Sequence, residues 1–198
     1  MESASSVRQY ITIGLTVAII PLIIYLRFFT KSIRKTLKEL VESLGWEFKG
    51  SIFSEAVAAG EYNGIAVKMR YWPGSKYRSS YFKIELDSAA SFEIKISKEN
   101  FMHRLGKTTG LAKEIETGDP QFDKKYFLRA SDDYNAELFM HKTQVRQAVT
   151  YILDTGFNLN IDRQQIVLTA NIMYSRLADV FLLKNVLDQV YRLIQELP

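Results

Sequence analysis

The stretch Ala58-Ala-Gly-Glu-Tyr-Asn-Gly-Ile-Ala-Val-Lys-Met-Arg-Tyr71 decides the fold, because it has the pattern of two strands joined by a tight turn. Asn63-Gly64 is typical of a two-residue hairpin turn, whose backbone needs positive φ angles. After this turn, apolar and polar residues alternate, as in a strand with one buried face. We therefore predict that residues 58–62 pair antiparallel with residues 65–71.

The rest of the domain repeats this alternation and adds helical patterns. Strands are predicted at 82–86, 92–96, about 125–130, 157–161 and 165–173. A helix capped by Ser131-Asp132-Asp133 carries a buried stripe over 145–153 and ends at Gly156, and a last helix runs from about Ser175 to Leu197. Because hairpins follow one another without βαβ alternation, we predict an α+β fold with a mainly antiparallel sheet packed with two or more helices.

An apolar segment precedes this domain. No side chain from Tyr10 to Leu26 is charged, and Phe28 and Phe29 extend the segment past Arg27. As a helix, roughly 20 residues span about 30 Å, the thickness of the hydrocarbon core of a bilayer. We predict a transmembrane helix at 10–29 after a short tail at 1–9. A cleaved signal peptide fits less well, because Arg8 is the only basic residue before the segment and no small-residue cleavage site follows it.

Basic residues set the predicted orientation of this anchor. On its C-terminal side lie five that we assign to the membrane interface, namely Arg27, Lys31, Arg34, Lys35 and Lys38. Because positive residues favour the cytoplasmic side, we predict a single-pass protein with its N-terminus outside and its C-terminal domain in the cytoplasm.

Residues 30–45 form a predicted amphipathic helix at the membrane edge, and residues 46–198 form the soluble domain. Ile33, Leu37, Leu40, Val41 and Leu44 recur at helical spacing, and Gly45 suits the end of the helix. The apolar stripe either packs on the domain, which we favour, or touches lipid as a stalk.

The distribution of charge and the lack of cysteine exclude several kinds of binding site and partner. Residues 1–45 hold six Lys and Arg against three Asp and Glu, whereas residues 46–198 hold twenty against nineteen. The excess charge therefore belongs to the membrane edge, and we expect no nucleic-acid partner. With no cysteine, disulfides, thiolate metal sites and a cysteine nucleophile are excluded.

Motifs for catalysis or cofactor binding are weak. Gly106-Lys-Thr-Thr-Gly110 resembles a phosphate loop, but Phe101 stands where the pattern requires glycine. His103 and His141, the only histidines, lack metal-ligand spacing. There is no Gly-x-Ser-x-Gly motif for a nucleophilic serine. We therefore assign no catalytic residue, cofactor or metal.

Two polar segments remain. In Gly118-Asp-Pro-Gln-Phe-Asp123, we interpret Gly118, Asp119 and Asp123 as a structural turn, with a cation site or an acid–base pair as the alternative. The loop after Pro73-Gly74 carries Lys76 and Arg78, which we list as possible contacts for a headgroup or a partner.

The chain also resembles a family. Gly60-Glu-Tyr-Asn-Gly64 before a strand, the run from Glu114 to Phe127, and the helix, hairpin and helix that follow are similar to uncharacterised bacterial single-pass membrane proteins. Those proteins carry a domain of unknown function with a Gly-Asp-x-x-Phe-Asp segment. The resemblance spans about 60–197, implies a bacterial inner membrane, and brings no known activity.

These observations lead to a ranked expectation. The first is a non-catalytic protein, anchored in the bilayer, whose cytoplasmic domain serves as an interaction or scaffold module for a protein partner or for itself. The alternative is a domain that senses a small molecule or a lipid headgroup. An enzyme ranks third.

Overall fold

The hairpin predicted at Asn63-Gly64 is confirmed. The computed structural model describes residues 33–51, 54–74, 80–98, 115–171 and 179–198. Strand β2 (Ala56–Tyr62) pairs antiparallel with β3 (Ile65–Trp72), and Tyr62 lies opposite Ile65. Asn63 has φ 52° and Gly64 has φ 81°. These positive angles are those of a type I′ turn, which matches the right-handed twist of the flanking strands.

The described strands form one eight-stranded sheet in which every pairing is antiparallel. The further strands are β1 (Glu47–Lys49), β4 (Tyr81–Asp87), β5 (Ile94–Lys98), β6 (Tyr126–Ala130), β7 (Asn158–Ile161) and β8 (Gln165–Asn171). The order across the sheet is β1-β2-β3-β4-β8-β7-β5-β6. The predicted α+β class with an antiparallel sheet is therefore confirmed.

Five helices accompany the sheet in the described part of the chain. They are α1 (residues 33–44), α2 (Pro120–Lys125), α3 (Asp133–His141), α4 (Thr143–Asp154) and α5 (Val180–Glu196). Their apolar side chains form one core with alternate strand residues such as Val67, Met69 and Tyr71. The helices therefore cover one face of the sheet, which we call the helix face, and the other set of strand residues forms the outer face.

The helix α1 belongs to this core. Ile33, Leu37 and Leu40 have no exposed surface, and they pack in the same cluster as the strands. The folded domain therefore includes residues 33–44 and extends beyond the predicted start at residue 46. The amphipathic stripe packs on the domain.

Three helix boundaries differ from the predictions. The segment predicted as a turn after Asp119 continues as α2, and the single helix predicted after Asp132 is broken at Lys142, whose backbone is extended (φ −68°, ψ 120°). The last helix begins at Val180, because Asp179 is its N-cap and accepts from Phe181 N and Leu182 N.

Strand boundaries shift by a few residues. β5 begins at Ile94 rather than residue 92, and β6 begins at Tyr126 because Lys125 ends α2. β7 begins at Asn158, and β8 is described to Asn171, so the predicted end at 173 falls outside the described residues.

The predicted anchor at 10–29 and the tail at 1–9 also lie outside the described residues. Among the residues that are described, no helix has both the length and the apolar character needed to cross a bilayer.

Candidate functional site: a polar groove beside α4

A groove of about 600 Å³ lies between α4 and the segment formed by α2 and the start of β6. One wall comes from α4 and consists of Thr143, Arg146, Gln147, Thr150, Tyr151 and Asp154. The other wall consists of Asp119, Gln121, Phe122, Lys125 and Tyr126.

The α4 wall follows from helical spacing. Its six lining residues recur at steps of three and four, so they form a single stripe along the helix. Next to it runs the buried stripe Val145, Ala148, Val149, Ile152 and Leu153. Burial of the apolar stripe fixes the rotation of α4, and this rotation turns the polar stripe toward the groove.

The opposite wall is built by the Gly118, Asp119 and Asp123 segment. Asp119 Oδ1 accepts from Gln121 N at 3.0 Å and Phe122 N at 3.2 Å, so the carboxylate caps α2. Asp123 Oδ1 accepts from the backbone N and the hydroxyl of Thr117 at 3.0 and 2.8 Å. Gly118 has φ 76°, a value that suits glycine.

Arg146 links three helices at one end of the groove. Its Nη1 donates to the carbonyl oxygens of Met140 at 2.8 Å and His141 at 2.7 Å, which end α3. Its Nε lies 3.6 Å from Asp119 Oδ2 at the start of α2. The guanidinium therefore satisfies carbonyls left free where the helix breaks at Lys142, and it holds the two walls together.

A second charged group closes the other end of the groove. Lys125 Nζ lies 2.7 Å from Asp154 Oδ1 and 2.8 Å from Oδ2, and the Tyr126 hydroxyl donates to Oδ1 at 2.8 Å. Burial alone would raise the pKa of Asp154, but the hydrogen bonds from Lys125 and Tyr126 outweigh it and lower that pKa. Burial, followed by the bond to Asp154, raises the pKa of Tyr126.

The groove thus presents paired charges, two tyrosines and uncharged hydrogen-bonding side chains. Within the ranges that the structure describes, no group of three or more histidine, aspartate or glutamate side chains is arranged to hold a metal ion. The side chains that line this site can form hydrogen bonds and aromatic contacts.

Among the residues predicted for the membrane interface, Arg34 makes contacts within the folded domain. Its guanidinium donates to the carbonyl oxygens of Ser51 and Ser54 and lies 5.7 Å from the centre of the Tyr71 ring. Burial lowers the pKa of Arg34. The apolar stripe of α1 packs on the domain and brings this guanidinium to the loop after β1, while its predicted place at the membrane interface stays a prediction.

The other predicted basic residues are placed as follows. Lys35 is exposed and lies 3.5 Å from Glu39, and Lys38 lies 5.5 Å from the centre of the Phe48 ring. Arg27, Lys31, Lys76 and Arg78 lie outside the described residues, as do His103 and the segment 106–110. Their predicted roles stay predictions.

Sequence reasoning missed most of the groove. Of the residues singled out in advance, only Asp119 lines it, with Gly118 and Asp123 in the same turn. The signal that could have found the α4 wall was the polar stripe at 143, 146, 147, 150, 151 and 154, beside an apolar stripe that was recognised. Lys125 and Tyr126 carry no such signal, because the ends of α2 and α4 meet only in the folded chain.

Comparisons with known proteins show the fold alone. No protein-family model matches the chain, and no curated protein matches it. The crystal structure of the mycobacterial trehalose monomycolate transport factor A, TtfA, is similar, with a TM-score of 0.55 and 12% sequence identity. The match covers 84% of this chain and 96% of that one. The likeness therefore extends over nearly the whole of TtfA and adds a solved example of the same fold.

Proposed function

We propose that this chain is a non-catalytic, membrane-anchored interaction module whose groove beside α4 binds a segment of a protein partner. The observation that carries the proposal is the groove itself, with about 600 Å³ of space between two walls that Arg146 and Lys125 hold together. Its two walls offer hydrogen-bond donors and acceptors along the length of α4.

The composition of the walls favours a polypeptide. Small-molecule sites of this volume are mostly enclosed and lined by hydrophobic side chains, whereas this groove is open to solvent and lined mainly by residues with charged or hydrogen-bonding side chains. Tyrosine and arginine are enriched in protein interfaces, and the partly exposed Tyr151 and Arg146 supply both. Thr143, Gln147 and Thr150 add uncharged side chains that can donate and accept hydrogen bonds to a bound polypeptide.

The state of the carboxylates supports binding rather than catalysis. A general acid near neutral pH needs a raised pKa, but the pKa of Asp154 is lowered. Both oxygens of Asp154 accept from Lys125 or Tyr126, and Asp119 caps a helix while it lies near Arg146. These groups stabilise the groove and leave no poised proton donor.

The anchor at 10–29 places the module at a bilayer in this proposal. Only residues 30–32 separate that segment from the described part of α1, and four extended steps cover at most about 14 Å. Because α1 is part of the core, the domain would lie against the cytoplasmic face of the inner membrane, with the N-terminus outside. Carbonate extraction of membranes that hold the full chain should leave it in the pellet, and release into the supernatant contradicts the anchor.

Site-specific photocrosslinking tests the function of the groove. We expect p-benzoylphenylalanine at Tyr151 of the full chain to give one discrete protein adduct in cells. The same probe at Tyr134, which is 70% exposed on α3, should not give that adduct. A blocking substitution, Gln147→Trp, should abolish the adduct without changing the melting temperature. An adduct that persists in the blocked variant contradicts partner binding in the groove.

The same experiment separates the second candidate, recognition of a small molecule or lipid headgroup. The observation that favours this candidate is the volume of the groove, which lies within the range of ligand sites. This second candidate is supported if the probe at Tyr151 gives lipid or metabolite adducts and no protein adduct. Those adducts should be lost in Gln147→Trp.

A further inference from the structure

The outer face of the sheet carries two cross-strand pairs of like charge. Arg70 on β3 lies directly opposite Lys83 on β4, and Lys95 on β5 lies directly opposite Arg129 on β6. Like charges at opposed positions destabilise a sheet unless something neutralises them. The two pairs differ in how this repulsion is relieved.

The first pair is neutralised inside the fold. Glu85 Oε2 lies 3.0 Å from Arg70 Nε, and Glu85 Oε1 lies 2.6 Å from Lys83 Nζ. Although burial would raise the pKa of Glu85, the hydrogen bond from Lys83 and the nearby charges lower it. Glu85 therefore balances both cations of this pair, and Glu55 Oε1 also lies 4.0 Å from Arg70 Nη1.

The second pair has no such carboxylate. Both side chains are exposed, and neither forms an ion pair with any residue in the described ranges. Glu93, two positions before Lys95 on the same face, makes no ion pair with either cation. Arg129 instead lies over the buried ring of Phe127, with its guanidinium carbon 4.9 Å from the ring centre. This contact holds the planar group in place on the surface.

We propose that Lys95 and Arg129 form a binding site for a carboxylate side chain of an acidic peptide segment in a protein partner. A guanidinium held over a ring presents its paired N–H groups, which match the two oxygens of a carboxylate. Lys95 lies at the opposed position of the neighbouring strand and adds a second positive charge. A bound carboxylate would play the part that Glu85 plays for the first pair.

The observations favour a peptide over a membrane surface. Recognition of anionic bilayers typically uses clusters of 4–8 basic residues, whereas this site has two cations with Glu93 beside them. The site lies on the opposite face of β6 from Tyr126, since successive strand residues alternate in direction. It is therefore separate from the groove beside α4 and does not depend on the function proposed for that groove.

A labelled acidic peptide tests the site. Fluorescence anisotropy would measure binding of fluorescein-labelled hexaglutamate to the full chain in dodecylmaltoside. We expect Lys95→Gln/Arg129→Gln to weaken binding about tenfold, as the loss of two exposed ion pairs implies. The matched control Lys124→Gln/Arg163→Gln removes two exposed positive charges elsewhere and should have little effect. Equal weakening in both double variants indicates attraction by net charge and overturns the proposal.

A stability measurement excludes a purely structural role. Lys95→Glu converts the repulsive pair into an attractive one, so it should raise the melting temperature and still abolish binding of hexaglutamate. A lower melting temperature for both Lys95→Glu and Lys95→Gln shows that the lysine supports the fold and contradicts the proposal. Binding to phosphatidylglycerol vesicles is measured with the same variants. If the vesicles bind through Lys95 and Arg129 and hexaglutamate does not bind, the pair recognises lipid and the proposal is overturned.

Discussion

The indole Nε1–H of Trp46 donates a hydrogen bond of 2.8 Å to the backbone carbonyl oxygen of Glu61. The ring fills the space that a side chain at Gly60 would need, because an ideal Cβ there would lie 2.2 Å from Trp46 Cδ1. This contact ties the end of α1 to the second strand of the sheet. It explains why a glycine stands in the interior of β2, where glycine is otherwise unfavourable.

Gly60→Ala should therefore destabilise the domain by about 1–3 kcal/mol through overpacking against the indole. Urea unfolding followed by tryptophan fluorescence measures the change. Ala66→Ser, at an exposed position of the neighbouring strand, is the control and should leave the midpoint unchanged. An unaltered midpoint for Gly60→Ala would show that the ring can move aside at no cost.

Arg34→Gln should destabilise the domain by about 1–2 kcal/mol, because the backbone carbonyls of Ser51 and Ser54 lose their donor. Lys35→Gln is the matched control, since the Lys35 side chain is 76% exposed and its ion pair with Glu39 is a surface pair. Thermal unfolding of the full chain distinguishes the two. Equal stability of the two variants contradicts the intramolecular role of Arg34.

Tyr62 should make stability depend on pH in the alkaline range. Burial, followed by the 2.6 Å hydrogen bond to Asp188, raises the pKa of Tyr62 from 10.0 to about 12. The folded state holds this proton more tightly than the unfolded chain. The contribution of Tyr62 to the free energy of unfolding is therefore complete below pH 10 and is lost as the pH rises toward 12.

Tyr62→Phe should be less stable than the original chain at pH 9, and the difference should shrink toward pH 12. Denaturant unfolding at a series of pH values gives the comparison. Burial also raises the pKa values of Tyr81 and Tyr126. Both tyrosines are present in both proteins, so their effect on stability cancels when the two proteins are compared. Tyr134→Phe, at an exposed site, should show no such trend. A constant difference across the range rules out the assigned role of the hydroxyl.

Asp119→Ala should lower stability by about 1 kcal/mol, because α2 loses the side chain that caps its first turn. Asp123→Ala should act in the same direction, since buried Thr117 loses its acceptor. Glu137→Ala, at an exposed position within α3, is the control and should change little. If either aspartate variant keeps full stability but loses partner binding in cells, the turn is a contact site rather than a structural element.

Local pattern was sufficient for several elements of this fold. Asn63-Gly64 predicted its hairpin, because the turn needs only the two residues that adopt positive φ. The alternation at 65–71 and 82–86 predicted strands, and the predicted cap Ser131-Asp132-Asp133 contains the N-cap residue Asp132. Each of these depends on neighbours in sequence, so each can be found without knowing the tertiary structure.

Other features depend on residues distant in sequence. The break at Lys142 was not predicted, and in the structure Arg146 donates to the carbonyls freed there and also lies near Asp119, which is distant in sequence. The groove was missed for the same reason, since Lys125 and Tyr126 meet Asp154 through the packing of α4.

The sequence by itself determined the hairpins, the apolar stripes of the helices and the near balance of charge in the domain. Only the tertiary structure decided that α1 joins the core, that Arg34 donates to the carbonyls of Ser51 and Ser54, and that Lys95 lies opposite Arg129. The physical reason is that backbone preference and periodicity act over a few residues, whereas strand order and helix packing choose which distant side chains meet.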